Sequence, residues 1–530
     1  MGVLWYGGNI YTMKSIGNTV DSVFIEDGII VDTGDYHILK QNYGNKISEI
    51  KNLNGKTMFP GFVDSHLHII GHGEKIAHLD LSLMTSPEQV AEALRSRVDN
   101  LHEGEWLIGE GWNENQWEDP RILHKDELDS ICPNNPMLLT RVCRHAILAN
   151  THAMEKAGVN DRTKDPQGGK IVRNEEGQAT GYFLDTAQEI IKKVVPDISI
   201  DKLTKLVGTS IDELLELGLV GGHSEDLAYY GGFNKTLAAF YNAINKENRR
   251  FRAHLLVHHE VVDDMIASEI SFSEQNEYIE LGAMKIFSDG ALGGRTAWLS
   301  EPYEDDRDNY GIPIHSIEVL EDLVKKARLH GLPIAVHAIG DQAAWTVAKL
   351  IQKYPLNNGR RDRIIHAQVM NKQLLELLKS IDVVLDIQPT FVASDFPWII
   401  DRLGEKRVQD AYPWKTYLQH GIPCAAGSDA PIEDVNPLHG IEAAVLRRSN
   451  IDGNIYNEKQ QLSVYEAISL YTKGSAYVIG REHNRGQIDK GFLADFTILD
   501  VDLFQIPPEK IRTAKVEMTV VDGEIAYNRE

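Results

Sequence analysis

The stretch Pro60-Gly61-Phe62-Val63-Asp64-Ser65-His66-Leu67-His68 decides how this 530-residue chain is read. A strand's side-chain period of two puts His66 and His68 on one face. Two neutral imidazoles on one face can grip a metal ion. The run Thr57-Met58-Phe59-Pro60-Gly61-Phe62-Val63 is apolar and short, so the pair sits where a buried strand ends and a loop begins. In a β/α barrel that end is the reactive end. A lone His-x-His is also common as an ordinary hydrogen-bonded pair, so the metal reading depends on finding further ligands.

Working outward, short apolar runs alternate with segments of helical period. Strand candidates after the one ending at His66 are Leu219 to His223, Arg252 to His258, Ala283 to Phe287, Ile334 to His337, Ile364 to His366, Val383 to Ile387 and Ile422 to Ala426. Eight strands separated mostly by helices predict a (β/α)8 TIM barrel, an α/β fold. Helices are marked by their ends. Ser86-Pro87-Glu88-Gln89 supplies an N-cap and a capping box, and the helix from about Asp201 stops at Gly218. Such helices are expected to cover the parallel sheet.

Residues from about 3 to 57 and the C-terminal stretch both read as short strands with Asp-Gly turns at Asp27-Gly28 and Asp522-Gly523. Neither end alone buries a core, so the two ends are expected to form one small, discontinuous β-sandwich domain, residues 1–57 with 483–530. The barrel then occupies 58–482. Roughly residues 104–195, with Trp106, Trp112 and Trp117, are too long for an ordinary loop and read as an inserted lid or subdomain.

Composition sets limits on partners. The formal charge of -24, from 78 acidic and 54 basic residues, repels phosphate backbones and argues against nucleic acid. No apolar run approaches a bilayer span, so no membrane association is expected. Cys132, Cys143 and Cys424 lack CxxC spacing, and the first residues lack a signal-peptide pattern, which points to a reducing cytoplasm. A homodimer is the commonest expectation for a soluble enzyme.

On this barrel the ends of strands one, four, five, six and eight present His66 and His68, Lys285, His337, His366 and Asp429. Imidazole and carboxylate suit zinc or another borderline divalent metal, and this set suffices for one or two ions. Taken singly, His337 and His366 could be buried hydrogen-bonded residues, and Asp429 an N-cap before Pro431. Convergence on one rim favours the metal reading. Lys285 cannot ligate as an ammonium. It is open to carboxylation to an N6-carboxylysine, or to an ion pair with Asp289 or a substrate carboxylate.

These residues resemble the amidohydrolase superfamily, and within it the branch of YtcJ-like hydrolases and N-substituted formamide deformylases. The resemblance is carried by the stretch from Pro60 to His68, Lys285-Ile286-Phe287-Ser288-Asp289-Gly290, Val336-His337-Ala338-Ile339-Gly340-Asp341, Gly427-Ser428-Asp429-Ala430-Pro431 and the late Gly486-Gln487-Ile488 to Asp495 segment. It implies that His66, His68 and Asp429 hold the more buried metal and His337 and His366 a second, bridged by a carbamate on Lys285. It also implies hydrolysis of an amide, N-acyl or N-formyl C–N bond in a small-molecule substrate, with Asp429 moving the proton from water to the leaving nitrogen.

Candidate substrate contacts are Trp112, Arg144 and His145 in the insertion and Arg295 after strand four, each with a bland alternative: subdomain core for the tryptophan, a structural ion pair for Arg295. Two other readings compete. One is a cyclic amidine deaminase or ring-opening amidase on the same scaffold, and the other is a catalytically silent binding protein, which retention of all six metal-site positions disfavours.

Overall fold

The computed structural model describes residues 2–99, 101–102, 104–114, 117–141, 146–166, 168–268 and 278–529. Eight parallel strands follow one another in chain order: β1 (Phe62–Leu67), β2 (Leu219–Ser224), β3 (Arg252–His258), β4 (Ile279–Phe287), β5 (Ile334–Ala338), β6 (Asp362–His366), β7 (Val383–Ile387) and β8 (Cys424–Ala426). Each of the eight strands expected from sequence is present. They form the barrel of a (β/α)8 fold, buried along nearly their whole length, as all-parallel strands must be. Backbone hydrogen bonds close the seam between β1 and the segment after β8. Asp429 N donates to His66 O at 2.7 Å, and His68 N donates to Ala430 O at 2.8 Å.

Connecting helices carry the expected stop and start chemistry. The helix Ile317–Leu329 begins at Ser316, whose side chain accepts from Val319 N, and the helix Lys372–Leu378 begins likewise at Asn371. The helix Ile200–Glu216 buries Leu203, Leu206, Val207, Ile211, Leu214 and Leu215 along one face.

Both termini build one discontinuous β-sheet. Thr57–Pro60 pairs in parallel with Gly2–Tyr11 and antiparallel with Phe496–Leu499, so the first and last parts of the chain share one sheet and a core of Trp5, Ile10, Met58, Phe496, Ile498 and Val520. The apolar run from Thr57 to Val63 is therefore two strands in two sheets. The chain changes sheet at Gly61, where a Cβ would fall 2.5 Å from Val220 Cγ2 and only glycine fits.

Residues 73–199 form a compact unit of their own around a six-stranded sheet, in the order Gly169–Arg173, Ala179–Asp185, Ala146–Ala149, Met137–Arg141, Leu107–Trp112, Leu79–Asp80. Its start lies upstream of residue 104. The well-capped helix Pro87–Val98, expected from sequence to cover the barrel, contributes Val90 and Leu94 to this unit's core. An amphipathic helix read alone shows that it covers a sheet, without showing which one. Among the described residues no helix is long and apolar enough to cross a membrane.

The barrel and the terminal sheet are joined by a buried fork. Arg252 at the start of β3 donates through Nε and Nη2 to Asp495 at 2.6 and 2.9 Å, with both side chains nearly inaccessible to water. Removing one partner leaves the other charge buried and unpaired. Arg252→Met is expected to destabilise the protein by about 3–5 kcal/mol, read as a lowered midpoint in thermal unfolding followed by circular dichroism.

Candidate metal centre

The strand ends bring the predicted residues together. His66 Nε2 stands 3.5 Å and His68 Nε2 3.6 Å from Asp429 Oδ1, and one donor atom from each of the three lies within 4.8 Å of the other two. Among the described residues this is the one group of three His, Cys, Asp or Glu donors so arranged. Lys285 Nζ lies 3.3 Å from His66 Nε2. The His366 ring is 5.8 Å from that of His66 and 4.5 Å from that of His337. The six residues therefore share one end of the barrel.

Backbone geometry aims them. On β6, Ile365 packs with Leu256, Ala283 and Ala335, and period two would send the next side chain to the opposite face. His366 instead adopts φ +74, and Ala367 φ +45, which turns the imidazole back toward His66 and His337. Asp429 sits at φ +60. Non-glycine residues in the left-handed region are sparse and cluster where the surrounding structure holds them for a purpose.

Hydrogen bonds fix which ring nitrogens are free. His68 Nδ1 donates to the Glu225 carbonyl at 2.6 Å, which aims Nε2 at Asp429. His366 Nδ1 meets Gln388 Oε1 at 2.7 Å, freeing Nε2. His337 differs: its Nε2 is engaged with Gly290 O at 3.1 Å and stands 3.6 Å from Asp289. Lys285 is not paired with Asp289, whose oxygens accept from the backbone N–H groups of Trp298, Ile339 and Gly340.

Electrostatics match the ligand chemistry. Burial, reinforced by Lys285, holds His66 well below the ordinary imidazole range. Burial holds His366 at about 4. Burial, reinforced by His366, also lowers His337. All three are neutral at physiological pH, as metal-ligating imidazoles are. For Asp429, burial works against ionisation, but the bond to His68 together with the charges of His366, His68 and Lys285 outweighs it and the pKa is lowered, so the carboxylate is charged. His68 differs: burial lowers its pKa, but the bond to Asp429 and the charge of Asp226 raise it on balance. Two imidazoles and an ionised carboxylate within reach of one another fit a borderline divalent cation, which would take the place of the proton that His68 shares with Asp429.

A second layer supports the first. Asp64 accepts from His66 N at 2.9 Å and from Ser428 N at 3.0 Å, tying β1 to the segment that carries Asp429. Gly427 has no room for a side chain there, since a Cβ would lie 2.3 Å from His66 N. Fully buried Arg363 pairs with Asp386 at 3.2 Å and donates to Ser65 O at 3.3 Å, while Ser65 Oγ bonds Asp386.

The candidate substrate contacts fare differently. Trp112 is buried in the core of the 73–199 unit, where its Nε1 donates to Leu139 O, so it is a packing residue rather than a pocket residue. Trp117 is placed likewise. Arg295 is satisfied by a two-pronged bond to Asp305 at 3.1 and 2.8 Å and is not part of the histidine cluster. Arg144 and His145 lie outside the described residues. Sequence reasoning missed Glu225, Tyr229 and Gln388. The signals were Glu225-Asp226 directly after strand two and Gln388 just past strand seven, both on the reactive rim.

Glu225 is fully buried, and burial pushes its carboxyl up to about 7 against the pull of Lys285. The Tyr229 ring lies 6.5 Å from His68 and 6.1 Å from His258, and the chain of ring contacts continues through Phe287 to His337.

A barrel with this donor set at its strand ends defines a class, and comparison with known proteins agrees: residues 49–527 match the amidohydrolase family, to which the chain belongs. The chain is 49% identical to the putative amidohydrolase YtcJ of Bacillus subtilis over 100% of both proteins. It is 23% identical to an N-substituted formamide deformylase of Arthrobacter pascens, covering 98% of this chain and 97% of that one. A solved structure of an uncharacterized metal-dependent hydrolase from Pyrococcus horikoshii is similar with a TM-score of 0.81 at 28% identity, covering 96% of this chain and 99% of that one. The family resemblance read from the motifs is thereby borne out.

Asp64 offers a structural test that does not depend on activity. Asp64→Ala strands two buried N–H groups, those of His66 and Ser428, at about 1–3 kcal/mol each. The thermal midpoint is expected to fall accordingly, whereas an unchanged midpoint would show that the β1–β8 seam does not need this clasp.

Proposed function

We propose that this protein is a metal-dependent hydrolase that cleaves an amide, N-acyl or N-formyl C–N bond in a small molecule. The observation that carries this reading is the convergence of His66 Nε2, His68 Nε2 and Asp429 Oδ1 within 4.8 Å at the reactive end of the barrel. His66, His68 and Asp429 would hold the ion, with zinc the best match to two imidazoles and a carboxylate. Lys285, 3.3 Å from His66 Nε2, is where an N6-carboxylysine would add two anionic oxygens to the same donor group. His366, with Nε2 free, is the next donor available to a second ion. When bound, such an ion supplies Lewis acidity that brings the pKa of water from 15.7 to about 7.

The protein's own residues do the rest. Asp429 accepts the proton that the attacking water loses and returns it to the leaving nitrogen, one group serving as base and then acid. The acyl carbon gains a C–O bond, the C–N bond breaks, and the products are a carboxylic acid and an amine. Gln388 and the Glu225 carbonyl hold the His366 and His68 rings in their working tautomers throughout. The 49% identity to a protein named as an amidohydrolase, and the family tie to an N-substituted formamide deformylase, support the C–N reading.

Asp429→Asn is expected to lower turnover of a formamide or amide substrate by about 10²–10⁴-fold, while elemental analysis still finds metal at least in part. A near wild-type rate contradicts the role given to Asp429. Gln388→Leu is expected to weaken metal binding by about 10–100-fold, measured by competition with a chelator, because the His366 ring loses its orienting partner. Detecting ammonia rather than an amine as the product would move the assignment to deamination of a cyclic amidine.

A further inference from the structure

Glu225, the first residue after β2, has a full use for its backbone and little for its side chain. Its N–H donates to Leu67 O at 3.0 Å, and its carbonyl accepts from His68 Nδ1. The carboxylate is fully buried, and neither oxygen has a partner at ordinary hydrogen-bond distance; the Tyr229 hydroxyl approaches it as a donor. Beside it, Asp226 Oδ2 accepts from Ile70 N and Ser224 Oγ, while Asp226 Oδ1 is also without a partner. A buried carboxylate short of donors is costly, and such groups in a native fold call for an explanation.

The surroundings narrow the explanation. Lys285 acts on Glu225 electrostatically, but among the described residues there is no ion pair between them, and the ammonium lies instead beside His66 Nε2. Tyr229 borders the same space. The residue is 39% exposed, its ring stands between His68 and His258, its hydroxyl leans on Glu225, and the charges of Asp226 and Glu260 also act on it. On this flank of the centre there is thus a buried carboxylate with the Tyr229 hydroxyl as its one side-chain donor, further negative charge and a partly exposed aromatic residue.

We propose that Glu225 and Tyr229 form a subsite for a positively charged, N–H-bearing group of the substrate, an ammonium, amidinium or guanidinium, beside the candidate metal centre. N–H donors on the ligand fill the acceptor positions of Glu225 that the Tyr229 hydroxyl leaves open, and the charge is attracted by Asp226 and Glu260 and by the ring of Tyr229. A carboxylate at the same position would be set against Glu225, Asp226 and Glu260. This deepens the reading of the centre as a hydrolase of acylated amines and rests on it for the identity of the scissile bond. The subsite itself rests on Glu225 and Tyr229.

The test is calorimetric binding of n-butylammonium and of n-butanol to metal-replete protein near neutral pH, with the wild type, Glu225→Gln and Tyr229→Leu. The wild type is expected to bind the ammonium at least about tenfold more tightly than the alcohol. Glu225→Gln, which keeps the backbone bonds and the side-chain shape, is expected to abolish that preference. Tyr229→Leu, at an exposed ring, is expected to reduce it, and decides the matter should the first variant fail to fold. Equal binding of the two probes by the wild type, no measurable ammonium binding, or a preference undiminished in a folded variant would overturn the proposal. An intact preference in a protein that hydrolyses no N-acyl or N-formyl amine would leave the subsite standing and remove the proposed reaction. Hydrolysis without the preference would do the reverse.

Discussion

The seam between the first and last strands of the barrel is the constraint on which the site depends. Every other neighbouring pair is laddered along several residues, whereas β1 meets the segment after β8 through two backbone bonds, Asp429 N to His66 O and His68 N to Ala430 O. Three donor-bearing residues are therefore fixed by the same bonds that close the fold. The Asp64 carboxylate doubles the clasp from the side, and Gly427 permits the two segments to approach. A change that loosens the seam loosens the donor group with it, which couples stability to chemistry at this point.

Burial then sets the chemical state of what the seam brings together. His66, His337 and His366 are held neutral chiefly by desolvation, and Asp429 is held ionised chiefly by its contact with His68. The same desolvation lowers the Lys285 pKa, against the pull of Glu225 and Asp429. His68 is the exception, raised by its bond to Asp429 against the effect of burial, so a divalent cation binding there would displace the proton the two share. Around it, Gln388, the Glu225 carbonyl and the Gly290 carbonyl settle the ring orientations.

Much of this was legible in the sequence, for definable reasons. The barrel strands are buried on both faces, so they appear as short apolar runs, and their ends are marked by His66, His337, His366 and the Gly427-Ser428-Asp429 turn. What was not legible depends on tertiary choices. The switch of sheets at Gly61 follows from the approach of Val220, and the turn of His366 back toward His66 follows from a positive φ that no propensity announces. The helix Pro87–Val98 has excellent caps, but caps do not name the sheet it covers. Trp112 was read as a pocket residue because aromatic side chains serve both packing and recognition, and the core of the 73–199 unit claims it. Glu225 escaped notice because an acidic residue after a strand is ordinary until its burial is known.

The central claim is that His66, His68 and Asp429 hold a catalytic divalent ion. Anomalous diffraction from crystals of the metal-replete protein, recorded on both sides of the zinc absorption edge, tests it most directly. The account predicts a peak at about 2.0–2.2 Å from His66 Nε2, His68 Nε2 and an Asp429 oxygen. Metal-replete crystals with no anomalous peak among these three residues, or with the ion bound elsewhere on the chain, would contradict it.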